Sequence, residues 1–112
     1  MINYKNKIFK PVANSVNGEV DTGMHFLYQQ QGNVLTSEYT GVNIIKGHLI
    51  ALVGHDGTLD MRYHQVNKQG EIMTGTCKST PEILPNGKIR LHEQWQWTSG
   101  DLSKGYSIME EV

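Results

Sequence analysis

The sequence predicts an all-β fold: an eight-stranded antiparallel up-and-down β-barrel, in a single domain over residues 1–112. Three observations predict it. Short stretches alternate apolar and polar residues with a period of two, as strands do when one face is covered and the other wet. The 12 glycines, against 3 prolines, are spread along the chain as for many short turns, and no window carries apolar residues at helical spacing. The connections are short, which forces sequential antiparallel neighbours, and strands with no helix to cover a face hide it best by closing on themselves. An open meander packing face to face in a dimer is the alternative.

Residues 7–13 read as the first strand, with Pro11 marking an edge or its end. Asn14 to Gly23 is the longest polar connection. A second strand, Met24 to Gln31, meets a third, Val34 to Thr40, across Gly32-Asn33, a pair suited to a two-residue type II′ hairpin. That register sets Tyr28 opposite Ser37 and Phe26 opposite Tyr39. A fourth strand, Ile44 to Val53, is apolar on both faces in its second half and so reads as central. His55-Asp56-Gly57 leads into a fifth, Thr58 to Val66, and Asn67-Lys68-Gln69-Gly70 fits a type I turn closed by a left-handed glycine. The sixth runs from Glu71 to about Thr80, the seventh from Lys88 to Thr98 and the eighth from Lys104 to Val112.

Composition bounds the partners. A formal net charge of -1, from 10 basic and 11 acidic residues, gives no electrostatic reason to expect nucleic acid or an anionic membrane. No apolar run approaches the roughly 20 residues that span a bilayer. Cys77 is the one cysteine, so no intrachain disulfide is expected, and the N-terminus lacks a signal peptide's apolar region. The expectation is a soluble, cytoplasmic protein.

Leu91-His92-Glu93-Gln94-Trp95-Gln96-Trp97 alternates strictly, placing both tryptophans on one face with Glu93. A carboxyl among apolar neighbours must pair, protonate or face a cavity. If every hairpin keeps the simplest two-residue register, the aromatic interior holds Phe26, Tyr28, Ser37, Tyr39, Ile50, Leu52, Leu59, Met61, Tyr63, Thr74, Thr76, Glu93, Trp95 and Trp97. A bulge at the Gly70 or Gly87 turn would exchange faces from there onward. It would bring Arg62, with His64, inside to pair with Glu93, and Gly47, Gly75 and Ser79 would leave room for them.

The candidate ligand-binding residues are therefore Tyr39, Arg62, His64, Glu93, Trp95 and Trp97: an aromatic wall with a polar anchor, the usual makeup of a small-molecule site. The alternative is a filled aromatic core with Glu93 hydrogen-bonded to a neighbouring strand. The histidines show no His-x-His pair, so no metal site is expected. Glu110-Glu111 reads as a solvated terminal pair rather than a second catalytic carboxylate, and Cys77 has no basic neighbour on its own face. Walker, Rossmann and Gly-x-Ser-x-Gly patterns are absent, so no cofactor is expected.

Gly47-His48-Leu49, Arg62-Tyr63-His64-Gln65, Leu84 to Leu91, Glu93 to Trp97 and Gly105-Tyr106-Ser107 with Glu110-Glu111 resemble a family of small bacterial proteins labelled N-acetylglutamate synthase. The resemblance runs from about Phe9 to Val112 and implies acetyl transfer from acetyl-CoA. Such transferases hold the pyrophosphate at a Gln/Arg-x-x-Gly-x-Gly/Ala turn opening a helix. The nearest match, Gln29 to Val34, leads into a strand. Eight sequential strands also look like the calycin architecture of lipocalins, whose barrels hold small ligands.

The leading reading is a non-enzymatic barrel that binds a small molecule of unspecified class. The alternatives are an enzyme, by acetyl transfer or by hydrolysis through Glu93 with Arg62 or His64, and a homodimeric interaction protein.

Overall fold

A computed structural model describes residues 2–112. Its strands are β1 (Ile8–Asn14), β2 (Phe26–Leu27), β3 (Gln29–Gln31), β4 (Val34–Tyr39), β5 (Ile44–Val53), β6 (Leu59–Asn67), β7 (Ile72–Ile83), β8 (Ile89–Trp97) and β9 (Lys104–Glu111). All pairings are antiparallel, in the order β2-β1-β9-β8-β7-β6-β5-β4-β3. The expected second strand supplies both ends of this sheet. It is split at Tyr28, so there are nine strands among the described residues rather than eight. Phe26 and Leu27 pair with β1, and Gln29 to Gln31 pair with β4. The chain through Tyr28 thus draws the sheet into a nearly closed barrel.

Three hairpins share one geometry. In each of the connections 54–58, 67–71 and 84–88 the first residue's N–H bonds to the last residue's carbonyl, and a left-handed glycine (Gly57, Gly70, Gly87) sits next to last. This is a type I turn with a glycine bulge, and it adds one residue to the simplest register. Gly32 at φ 61 instead makes the expected two-residue turn.

The β4–β5 register and these added residues together correct the expected interior. Tyr39 pairs with Gly47 and Ser37 with Leu49, so Leu49, Ala51 and Val53 point in while Ile50 and Leu52 are exposed. The Gly57 turn restores Leu59, Met61 and Tyr63 to the inside. The Gly70 turn then puts Gly75, Cys77 and Ser79 inside in place of Thr74 and Thr76, and the Gly87 turn restores Glu93, Trp95 and Trp97. A single shift would have turned Arg62 inward toward Glu93. Two successive shifts cancel, and Arg62 stays outside.

Glycines let the interior rings lie down. Tyr39 pairs with Gly47, Tyr63 with Gly75 and Trp95 with Gly105 across neighbouring strands. A β-carbon at any of the three glycines would fall within the ring opposite. One end of the barrel is packed by Tyr4, Phe9, Tyr28, Leu35, Leu59 and Leu91, all buried, with the Tyr4 hydroxyl donating to the Gly57 carbonyl at 2.6 Å. The connection between β1 and β2 crosses the other end as a strap.

Candidate functional site

Between the packed end and the strap lies a cavity of about 60 Å³, lined chiefly by aromatic side chains and by Glu93, Glu19, Gln65, Cys77 and Ser107. Glu93 comes from the middle of β8, whose alternation aims it inward with Trp95 and Trp97. The Ser79 hydroxyl, on the paired position of β7, donates to Glu93 Oε2 at 2.6 Å. Among the described residues Glu93 Oε1 and the Tyr28 and Tyr63 hydroxyls have no hydrogen-bond partner, and none of them counts as a sealed, unpaired polar atom. They therefore retain access to open space, and all three residues line the cavity.

The rings pack edge to face around this space. Trp95 and Trp97 are 5.5 Å apart at an interplanar angle of 63°, and Tyr63 and Trp97 are 5.8 Å apart at 70°. Phe26 and Tyr39, which also line the cavity, stand 4.7 Å apart with their rings tilted at 45°. Burial pushes the Glu93 carboxyl up to about 7, against the opposing pull of the Ser79 hydroxyl. Burial likewise raises the phenols of Tyr28, Tyr39 and Tyr63 and the Cys77 thiol, keeping them protonated.

The strap closes the mouth through polar contacts. The Glu19 carboxylate accepts from Gln65 Nε2 and Asn67 Nδ2, both at 2.9 Å, and the Tyr39 hydroxyl donates to Gln65 Oε1 at 2.8 Å. The Trp97 indole donates to the Asn17 carbonyl at 3.1 Å. The Trp95 indole donates to Ser107 Oγ at 3.0 Å, and that hydroxyl donates in turn to Asn14 Oδ1. The Trp97 indole is thus bonded to the strap directly, and the Trp95 indole reaches it through Ser107 and Asn14, whose Nδ2 donates to the Val20 carbonyl at 2.9 Å.

Of the candidates read from sequence, the structure brings Tyr39, Glu93, Trp95 and Trp97 together and leaves Arg62 and His64 apart. Arg62 lies on the outer face and pairs with Asp60 at 2.6 Å. His64 is exposed and meets His48 across β5 and β6, with ring centres 5.3 Å apart. The Arg62–Glu93 pair therefore does not form. Glu110 pairs with Arg90 at 2.8 Å and Glu111 with Lys7 at 3.3 Å, away from Glu93. Sequence reasoning missed Glu19, Gln65 and Ser107. Gln65 and Ser107 share the inward period of Tyr63 and Met109, a usable signal, whereas Glu19 sits in the strap, where no periodicity acts.

A nearly closed antiparallel meander whose interior holds a polar-anchored cavity defines the class: a calycin-like barrel. A family model described as avidin-like protein matches residues 2–112, and the chain belongs to the avidin-like family. No curated protein and no solved structure matches it. The resemblance to N-acetylglutamate synthases has no support in these comparisons. Its closest equivalent to an acetyl-CoA turn, at Gly32-Asn33, joins β3 to β4 and opens no helix.

Proposed function

We propose that this barrel is a binding protein whose small-molecule ligand occupies the Glu93 cavity, walled by Tyr39, Trp95 and Trp97. The observation that carries the reading is the enclosed Glu93 carboxyl, which Ser79 bonds through one oxygen while the other has no protein partner. Membership of the avidin-like family supports it, since such barrels bind small ligands such as biotin. An acid/base enzyme is the weaker reading: His64 and Arg62 lie outside, and Glu110 and Glu111 are engaged elsewhere. The cytoplasmic location is part of the proposal, and cell fractionation tests it.

The test is a thermal-melt and tryptophan-fluorescence screen of wild type and Glu93→Gln with biotin, acetyl-CoA, glutamate and a panel of small polar molecules. A ligand that raises the wild-type melting temperature, shifts the emission and loses affinity in Glu93→Gln supports the reading. A screen in which only acetyl-CoA and glutamate act would favour the transferase instead.

A second copy of the chain is the second partner proposed. Val34 and Leu52, paired across β4 and β5, and the neighbouring Ile50 are exposed on the outer face. Sedimentation of wild type against Leu52→Lys tests it: a dimer that the variant dissociates supports this interface, and a monomeric wild type rejects it.

A further inference from the structure

The cavity's charge is one-sided. Two carboxyls line it, Glu93 deep in the barrel and Glu19 at the strap, and among the described residues no Lys, Arg or His does. The nearby arginines are committed elsewhere on the outer face, Arg62 to Asp60 and Arg90 to Glu110. A carboxylate shut into an apolar space without a counter-ion is costly, and a ligand that brings the counter-ion removes that cost. The walls suit the same charge, because the faces of Trp and Tyr rings carry negative electrostatic potential and attract cations.

We propose that the ligand is a small organic cation, an ammonium or methylated ammonium group seated against Glu93 between Tyr63, Trp95 and Trp97. This rests on the reading of the barrel as a small-molecule binder and names the chemistry of that ligand. Size supports it. A volume of about 60 Å³ amounts to roughly four water-sized positions, the scale of trimethylammonium. A longer ligand has to leave beneath the strap, so only its charged head fits inside. The free hydroxyls of Tyr28 and Tyr63 accept from an N–H of the head where it has one.

The experiment compares tetramethylammonium with tert-butanol, a neutral molecule of similar shape, by tryptophan fluorescence at pH 8 and matched ionic strength. Wild type, Glu93→Gln and Glu19→Gln are titrated, each first shown to be folded by its melting curve. The expected result is saturable binding of the cation, with tert-butanol and Glu93→Gln each weaker by about tenfold or more, and a smaller loss in Glu19→Gln. Equal binding of tert-butanol, or undiminished cation binding by Glu93→Gln, overturns the cationic ligand and leaves the small-molecule reading standing. If neither probe binds wild type, the cationic ligand falls, and the small-molecule reading stands or falls on the ligand screen.

Discussion

Tyr63 lies across the sheet from Gly75, and the position a β-carbon would take on Gly75 falls within the Tyr63 ring and hydroxyl. The same relationship holds for Tyr39 on Gly47 and Trp95 on Gly105, on successive strand pairs. These glycines give each ring a seat, and the seated rings wall the cavity. Gly75→Ala is expected to lower stability by about 1–3 kcal/mol, as overpacking does, and to perturb ligand affinity with it. Chemical denaturation and the ligand titration, run on the same preparation, check both effects.

Stability is expected to depend on pH through Glu93. Its carboxyl holds a proton up to about 7 in the folded chain and, at the ordinary value of 4.5, releases it earlier when unfolded. Between those values the unfolded chain carries fewer protons, so the contribution is complete below about 4.5 and is lost as pH rises to about 7. The full change is on the order of 3 kcal/mol. The groups facing Glu93, the phenols of Tyr28, Tyr39 and Tyr63 and the Cys77 thiol, are raised by burial and stay protonated throughout. Urea unfolding at several pH values should therefore show that Glu93→Gln lacks this slope and exceeds wild type in stability at pH 8.

Ser79 sets how readily Glu93 ionises. Its hydroxyl is fully buried and donates to the carboxyl at 2.6 Å, opposing the effect of burial. Ser79→Ala should raise the Glu93 titration above 7 and weaken cation binding at neutral pH, with affinity recovering at higher pH as the carboxyl ionises. A cation titration from pH 6 to 9 reads this directly, and an unchanged profile would mean that Ser79 only packs.

The strap is pinned by Glu19 to β6 through two amide donors. Glu19→Ala is expected to raise amide hydrogen exchange in residues 15–24 by about tenfold or more, since a hydrogen bond to a charged group contributes about 1.5–3 kcal/mol. The exchange of β5 to β8 should stay as it is. Uniform acceleration would instead show that the strap and the barrel open together.

Much of the fold was legible because alternation is strong where one face is wet. Leu59, Met61 and Tyr63 on β6, and Glu93, Trp95 and Trp97 on β8, could be assigned to the interior from their period alone. Ile50 and Leu52 could not, because β5 is apolar on both faces and its inward set depends on whether Tyr39 meets Gly47 or a neighbour. The placement of Arg62 failed for a related reason. The Gly70 and Gly87 turns were each recognisable as candidates for an extra residue, but the face of Arg62 relative to Glu93 depends on the sum of the two. Gly47 and Gly75, read from the sequence as room for an arginine, are room for rings, and Gly105 has the same part without any such reading. Glu19 had no signal, since in an irregular segment a carboxylate aimed at a barrel mouth looks like any solvated one.

The central claim is that Glu93 is an enclosed carboxyl with no protein counter-ion, held ready for a ligand. Infrared difference spectroscopy of wild type against Glu93→Gln, followed from pH 5 to 9, measures that state directly. A protonated-carboxyl band that belongs to Glu93 and disappears with a midpoint of about 7, shifting downward when tetramethylammonium is added, is the expected result. A Glu93 already ionised at pH 5 and indifferent to the cation would contradict it, and would make the cavity a solvated cleft rather than a ligand site.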